Sequence, residues 1–187
     1  KFILFFMACT VMFACNNPYN DLEDGLYAEF NTTMGVILVK LTYEKTPVTV
    51  ANFVALAEGN HPKVREEYKG IKFYDGLIFH NVVPGFVAET GDPRGTGVGG
   101  TGETLLAELS NTPFVRGLVG MKRDRNDLNS GDSQFFILLG EAKHLQGKYT
   151  VWGKIEEGMM LLDRLRTGSP PASPNKIIKM RLASDLN

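Results

Sequence analysis

The stretch LYAEFNTTMGVILVKL, Leu26 to Leu41, reads as two short strands, LYAEFN and GVILVKL, parted by TTM. Gly35 stands where a tight hairpin needs a permissive backbone. Downstream, TPVTVANFVALAEGN carries helix punctuation: Thr46 as N-cap, Pro47 at the first helical position and Gly59 past the end. Val50, Phe53, Val54 and Ala57 fall on one face of that helix at three- and four-residue steps, so it should cover one opening of a sheet or barrel.

HPKVREEYKG is charged and reads as an exposed loop. Strand-like runs then recur at GLIFHNVV, GFVAET, GLVGM, QFFILL and YTVWGKI. EGMMLLDRLRTG predicts a second short helix, with Met159, Leu162 and Leu165 or Arg166 on a shared face. SPPASP breaks the chain and KIIKMRLA supplies a last strand. Many short strands with only two helices predict an all-β protein whose sheet closes on itself under helical caps, because closure removes exposed strand edges.

A chain of 187 residues holds one domain with a real core. Its 20 basic and 21 acidic residues show no bias toward a polyanion, which argues against nucleic acid as a partner. The exception is the beginning, KFILFFMACTVMFAC, where a lysine precedes an apolar run of about a dozen residues, short of the roughly 20 that span a bilayer. It reads as a signal peptide over 1–14. Its end, MFAC, resembles a bacterial lipoprotein signal in which Cys15 is lipidated. An ordinary signal or an apolar anchor with a coincidental cysteine is the alternative. On the lipoprotein reading no thiol remains in the mature domain, the protein is anchored in the cell envelope, and the lipid is its only membrane attachment. Residues 15–25 are polar and turn-rich, as a flexible tether is. The domain proper is 26–187.

Several motifs fail on inspection. GTGVGG, Gly95 to Gly100, satisfies G-x-G-x-x-G but has no helix start after it and no acidic residue at the right distance. It suits a loop that passes close to a ligand or turns a barrel corner. GDSQF lacks the second glycine of a nucleophile elbow, since Phe135 stands there. Three scattered histidines have no zinc-like spacing.

Three longer motifs, in order, carry a resemblance: FYDGLIFHNVVPGFVAETGDPRGTGVGG, SGDSQFFILLG and HLQGKYTVWGKI. Together they closely resemble the cyclophilins, the peptidyl-prolyl cis-trans isomerases, over about Leu26 to Leu182. The resemblance implies a closed eight-stranded antiparallel β-barrel capped by two α-helices, no cofactor, no metal, proline-containing polypeptides as partners, and a monomer.

The chemistry explains why such a site needs few reactive groups. The amide C–N bond resists rotation by about 18–20 kcal/mol, and at proline the cis and trans forms are close in energy. An enzyme has to hold the ring, fix the flanking backbone and favour the twisted state, in which the prolyl nitrogen accepts a hydrogen bond. By motif position, Phe86, Val87, Phe136 and Leu145 would form the proline pocket. On spacing alone each is equally an ordinary core residue. Gln134 would face the substrate backbone, the main chain near Lys122 and Arg123 would pair with the peptide, and His144 stands where many relatives carry tryptophan. Trp152 reads as core. His80 reads as a structural hydrogen-bonding residue rather than a base.

Two catalytic positions depart from the family's pattern. Asn81 stands in place of the F-H-R arginine, and Glu89 in place of a glutamine. Asn81 is neutral and too short to serve as the arginine does. Losing a charge-assisted hydrogen bond of about 1.5–3 kcal/mol slows a step roughly 10- to 150-fold. Either the site has become a proline-peptide binding module, or another cation compensates. MKRDRNDLNSGDSQF is about two residues longer than the family spacing; its Arg123 and Arg125 read first as solvated loop charges, with pairing of one of them to Glu89 as the alternative that would supply the missing donor. The reading is a peptidyl-prolyl isomerase of extracytoplasmic proteins with reduced activity.

Overall fold

The computed structural model describes residues 22–184. The proposed signal peptide, Cys15 and most of the tether lie outside the described residues. Glu23, near the end of the tether, meets Lys40 at 2.7 Å on the surface.

The opening hairpin is β1 (Leu26–Thr32) and β2 (Gly35–Leu41), paired so that Thr32 faces Gly35. Gly35 has φ 124°, a conformation that a side chain disfavours. The Thr32 hydroxyl closes the turn, accepting from the Met34 N–H at 3.1 Å and donating to the Gly35 carbonyl at 2.7 Å. Six more strands follow: β3 (Asn81–Val83), β4 (Val87–Thr90), β5 (Leu118–Met121), β6 (Phe135–Leu138), β7 (Val151–Glu157) and β8 (Ile177–Ser184). They form one antiparallel sheet in the order β3-β4-β6-β5-β7-β2-β1-β8.

The two ends of this curled sheet meet without a continuous ladder. Their seam is sewn by single main-chain bonds: Gly76 N–H to Ile177 carbonyl at 2.7 Å, Ile177 N–H to Leu77 carbonyl at 2.8 Å, and Phe79 N–H to Asn175 carbonyl at 2.9 Å. This explains why GLIFHNVV yields a strand of only three residues: its first half is occupied by the seam.

The first helix, α1 (Pro47–Glu58), ends at Gly59 in the left-handed conformation, as its punctuation predicts. Val50, Phe53 and Ala57 are buried, together with Leu56. Thr46 sits at the N-cap position but makes no side-chain cap. Instead the Glu108 carboxylate, from a distant loop, accepts the N–H groups of Val48 and Thr49 at 3.0 and 2.8 Å, supplying acceptors that a helix start lacks. Phe53 projects into the barrel, its ring 4.5 Å from that of Trp152 and edge-on to Phe135 at 6.2 Å. Trp152 is fully buried, as expected of core.

The second helix, α2, is shorter than EGMMLLDRLRTG suggested and spans only Met159–Leu162. The Arg166 N–H donates to Asn175 Oδ1 at 2.9 Å instead of to a helical carbonyl, so the chain leaves the helix to reach the seam. Leu162 and Leu165 stay buried while Met160 faces solvent.

Strands β4, β5 and β6 divide their side chains by period two. Ala88, Val119, Met121, Phe135 and Ile137 point into the barrel core. Val87, Leu118, Phe136 and Leu138 point outward and form a second apolar cluster, against which Phe86, Leu145 and Tyr149 pack. That outer face carries the candidate site.

Candidate functional site

Gly120 of β5 makes the outer face possible. A Cβ there would come within 2.3 Å of Phe136 Cζ, so only glycine lets that ring lie across the strand. Phe136 also meets Tyr149 edge-on at 5.4 Å, and Phe86 stacks on His144 at 5.7 Å. These rings, with Val87 and Leu145, wall a groove of about 570 Å³. Its volume lies in the range of about 300–1,000 Å³ usual for a small-ligand site, and the charged residues Glu89, Lys122, Arg123, Asp124 and Arg125 line the rest of it. Phe86, Val87, Phe136, His144 and Leu145 thus share one groove, as their motif positions imply. Tyr149 joins them; the sequence marks it only as the start of a strand, two residues before the outward-facing Val151.

The polar side of the groove is built from three neighbouring strands. Glu89 on β4 lies opposite Asn81 in the β3–β4 register. Lys122, which follows β5, gives its N–H to the Gln134 carbonyl at 2.9 Å and so continues the ladder beside β6. Cross-strand neighbours share a face, and the side chains meet. The Lys122 ammonium is 2.8 Å from Glu89 Oε2 and donates to Gln134 Oε1 at 3.0 Å and to the Gly97 carbonyl at 3.2 Å. Gln134 is buried and donates from Nε2 to the Gly99 carbonyl at 2.6 Å.

Glu89 is therefore paired, but with Lys122 rather than with Arg123 or Arg125. Arg123, one residue further along, is taken up elsewhere along the groove, where its guanidinium donates to the carbonyls of Lys148, Asp124 and Arg125 and lies 4.5 Å from the Tyr149 ring centre. Arg123 and Arg125 both border the groove without touching Glu89. Asn81 does not border it; its amide turns to Glu89.

Burial alone would push the Glu89 carboxyl up. His80, Lys122 and Asn81 around it outweigh that and bring it from 4.5 down to about 2. The Lys122 contact is the firm one of these, since His80 Nε2 stands 3.6 Å from the carboxylate, beyond hydrogen-bonding distance. His80 is 3 % exposed and neither ring nitrogen has a hydrogen-bond partner, so it packs behind the site without the hydrogen bonds expected of it.

The glycine-rich stretch after Gly95 runs beside the site as a loop. The Asp92 carboxylate gathers the N–H groups of Arg94, Thr96 and Gly97 at 2.8, 2.9 and 2.5 Å. Asp132 takes the N–H groups of Thr101 and Gly102 at 2.7 and 3.2 Å. Between these two anchors the loop borders a second cleft of about 470 Å³, with Gln134 in its wall. Lys122 borders both spaces.

Comparison with known proteins agrees with this architecture. The profile of the family described as "Cyclophilin type peptidyl-prolyl cis-trans isomerase/CLD" matches residues 27–182. A peptidyl-prolyl cis-trans isomerase of Helicobacter pylori is 38% identical over 152 residues, covering 79% of this chain and 85% of that one. The peptidyl-prolyl cis-trans isomerase-like 3 of Gallus gallus is 41% identical over 140 residues, covering 72% and 78%. Among solved structures, a Cryptosporidium parvum cyclophilin type isomerase in the presence of the dipeptide Ala-Pro superposes with TM-score 0.73 at 25% identity, over 85% of this chain and 99% of that one. The barrel, its outward apolar groove and a match spanning nearly all the described residues lead to one conclusion: the chain belongs to the cyclophilin-type peptidyl-prolyl cis-trans isomerases.

Proposed function

We propose that the protein turns X-Pro bonds of extracytoplasmic polypeptides between cis and trans, assisting their folding, with the proline ring seated against Phe86, Val87, Phe136 and Leu145. The groove's apolar wall is the observation that carries this reading: it offers a pyrrolidine a desolvated seat beside polar groups that can hold the flanking backbone. The Ala-Pro dipeptide present with the Cryptosporidium parvum relative supports the same ligand chemistry. No group is transferred in the reaction, so it calls for no cofactor.

The rate is set below that of relatives with arginine at the position of Asn81, which lies outside the groove. Exchange of an Ala-Pro peptide, measured by NMR, tests both statements. The wild type should exceed background, and Asn81→Arg should raise the exchange rate further. No gain removes Asn81 as the limit.

The same observation favours a second reading, a non-enzymatic module or envelope chaperone that grips proline-containing segments. A wild type at background that still binds the peptide selects it. Anchoring through Cys15 in the cell envelope, as a monomer, completes the proposal. It is supported by the residues MFAC after an apolar run, and a Cys15→Ala protein should leave the membrane fraction.

A further inference from the structure

One ammonium group stands where the apolar groove meets the cleft beside the glycine-rich loop. Lys122 Nζ is held by Glu89 at 2.8 Å, by Gln134 Oε1 at 3.0 Å and by the Gly97 carbonyl at 3.2 Å. Glu89 lies on β4 and Gln134 immediately precedes β6, so the charge is aimed before any peptide arrives.

Twisting an amide out of plane needs more than an apolar seat. As conjugation is lost, a lone pair appears on the prolyl nitrogen, and a donor directed at it lowers the barrier because planar substrate cannot use that donor equally well. Of the groove's cations, Arg123 gives its N–H groups to three loop carbonyls and lies on Tyr149. Arg125 sits on the exposed part of the loop. Lys122 alone is locked to both Glu89 and Gln134.

We propose that Lys122 is the catalytic cation of this site, donating to the prolyl nitrogen of the twisted peptide, with Glu89 as its positioning residue. The proposal rests on the isomerase reading above. The Gly97 carbonyl is the longest of the three contacts and is the one the substrate replaces. All three ammonium protons then stay engaged throughout. Glu89 keeps the ammonium aimed, which gives a reason for a carboxylate beside the lysine.

The test is NMR exchange of an Ala-Pro tetrapeptide, with its dissociation constant measured by titration. Lys122→Met should lose roughly 10- to 150-fold in exchange with little change in peptide affinity. Because that variant strands the Glu89 carboxylate, Lys122→Met with Glu89→Gln removes the charge from both partners and should lose as much. Lys122→Arg should keep most of the exchange, and Asn81→Arg added to Lys122→Met should restore it. Met variants that exchange at the wild-type rate overturn the lysine's role and leave the isomerase reading standing. Exchange and affinity falling in proportion also overturn it, since Lys122 would then serve binding alone. A wild type at background overturns both readings together.

Discussion

The two faces of β4, β5 and β6 are filled by opposite rules. Inward, Phe135 joins Phe53 and Trp152 in a dry aromatic core where every ring is fully buried. Outward, one residue along the same strands, Phe136 and Val87 share their surface with an ion pair. The inner face holds the barrel up and the outer face lines the candidate site. A substitution's consequence should therefore depend on its parity along the strand more than on its size.

The sharpest way to break this contrast is at its inner pole. Phe53→Ala should cost about 3–5 kcal/mol in denaturant unfolding, while the protein that remains folded binds Ala-Pro peptide as before. A loss under 1 kcal/mol would mean that the core is looser than its rings indicate.

The outer pole should answer differently. Gly120→Ala pushes a methyl group into Phe136, and overpacking of this kind costs about 1–3 kcal/mol. Its main effect should be on peptide affinity, because the displaced ring is a groove wall. Equal affinity in the variant and the wild type would detach Phe136 from substrate.

Glu89→Gln is the mildest and reads the ion pair through pH. The carboxyl is held at about 2 in the fold, below its ordinary 4.5. A group lowered by folding stabilises the fold above its unfolded value and loses that contribution as pH falls. The variant should thus be less stable than the wild type by about 1–2 kcal/mol at neutral pH, and the difference should close between 4.5 and about 2. A constant difference across that window would show that the Lys122 contact does not stabilise the fold.

Features set by a few neighbouring residues are legible in the sequence, and those set across the fold are not. The hairpin was legible because Gly35 and the alternation around it act within a few residues. The groove walls were legible only through long motifs, since Phe136 on spacing alone is as good a core residue as Phe135. The sequence offers Glu89 three cations on one stretch, Lys122, Arg123 and Arg125, and its actual partner is Lys122. Choosing Lys122 over Arg123 requires knowing that Lys122 continues the β5–β6 pairing beside Gln134 while Arg123 is taken up by loop carbonyls and Tyr149. The cap of α1 by Glu108 escaped for the same reason, sixty residues separating donor and acceptor. The truncation of α2 depended on Asn175, beyond the break in the chain.

The seam has its own bearing on where this barrel breathes. Ladder bonds tie the other strands along their length, but β3 is a three-residue stave with one flank on β4 and the other on isolated bridges. Local opening is cheapest where few bonds must break at once. An opening there would part Asn81 from β4 first, whereas Glu89 lies on β4, which is also laddered to β6, and Lys122 stays bonded to Gln134 beside it.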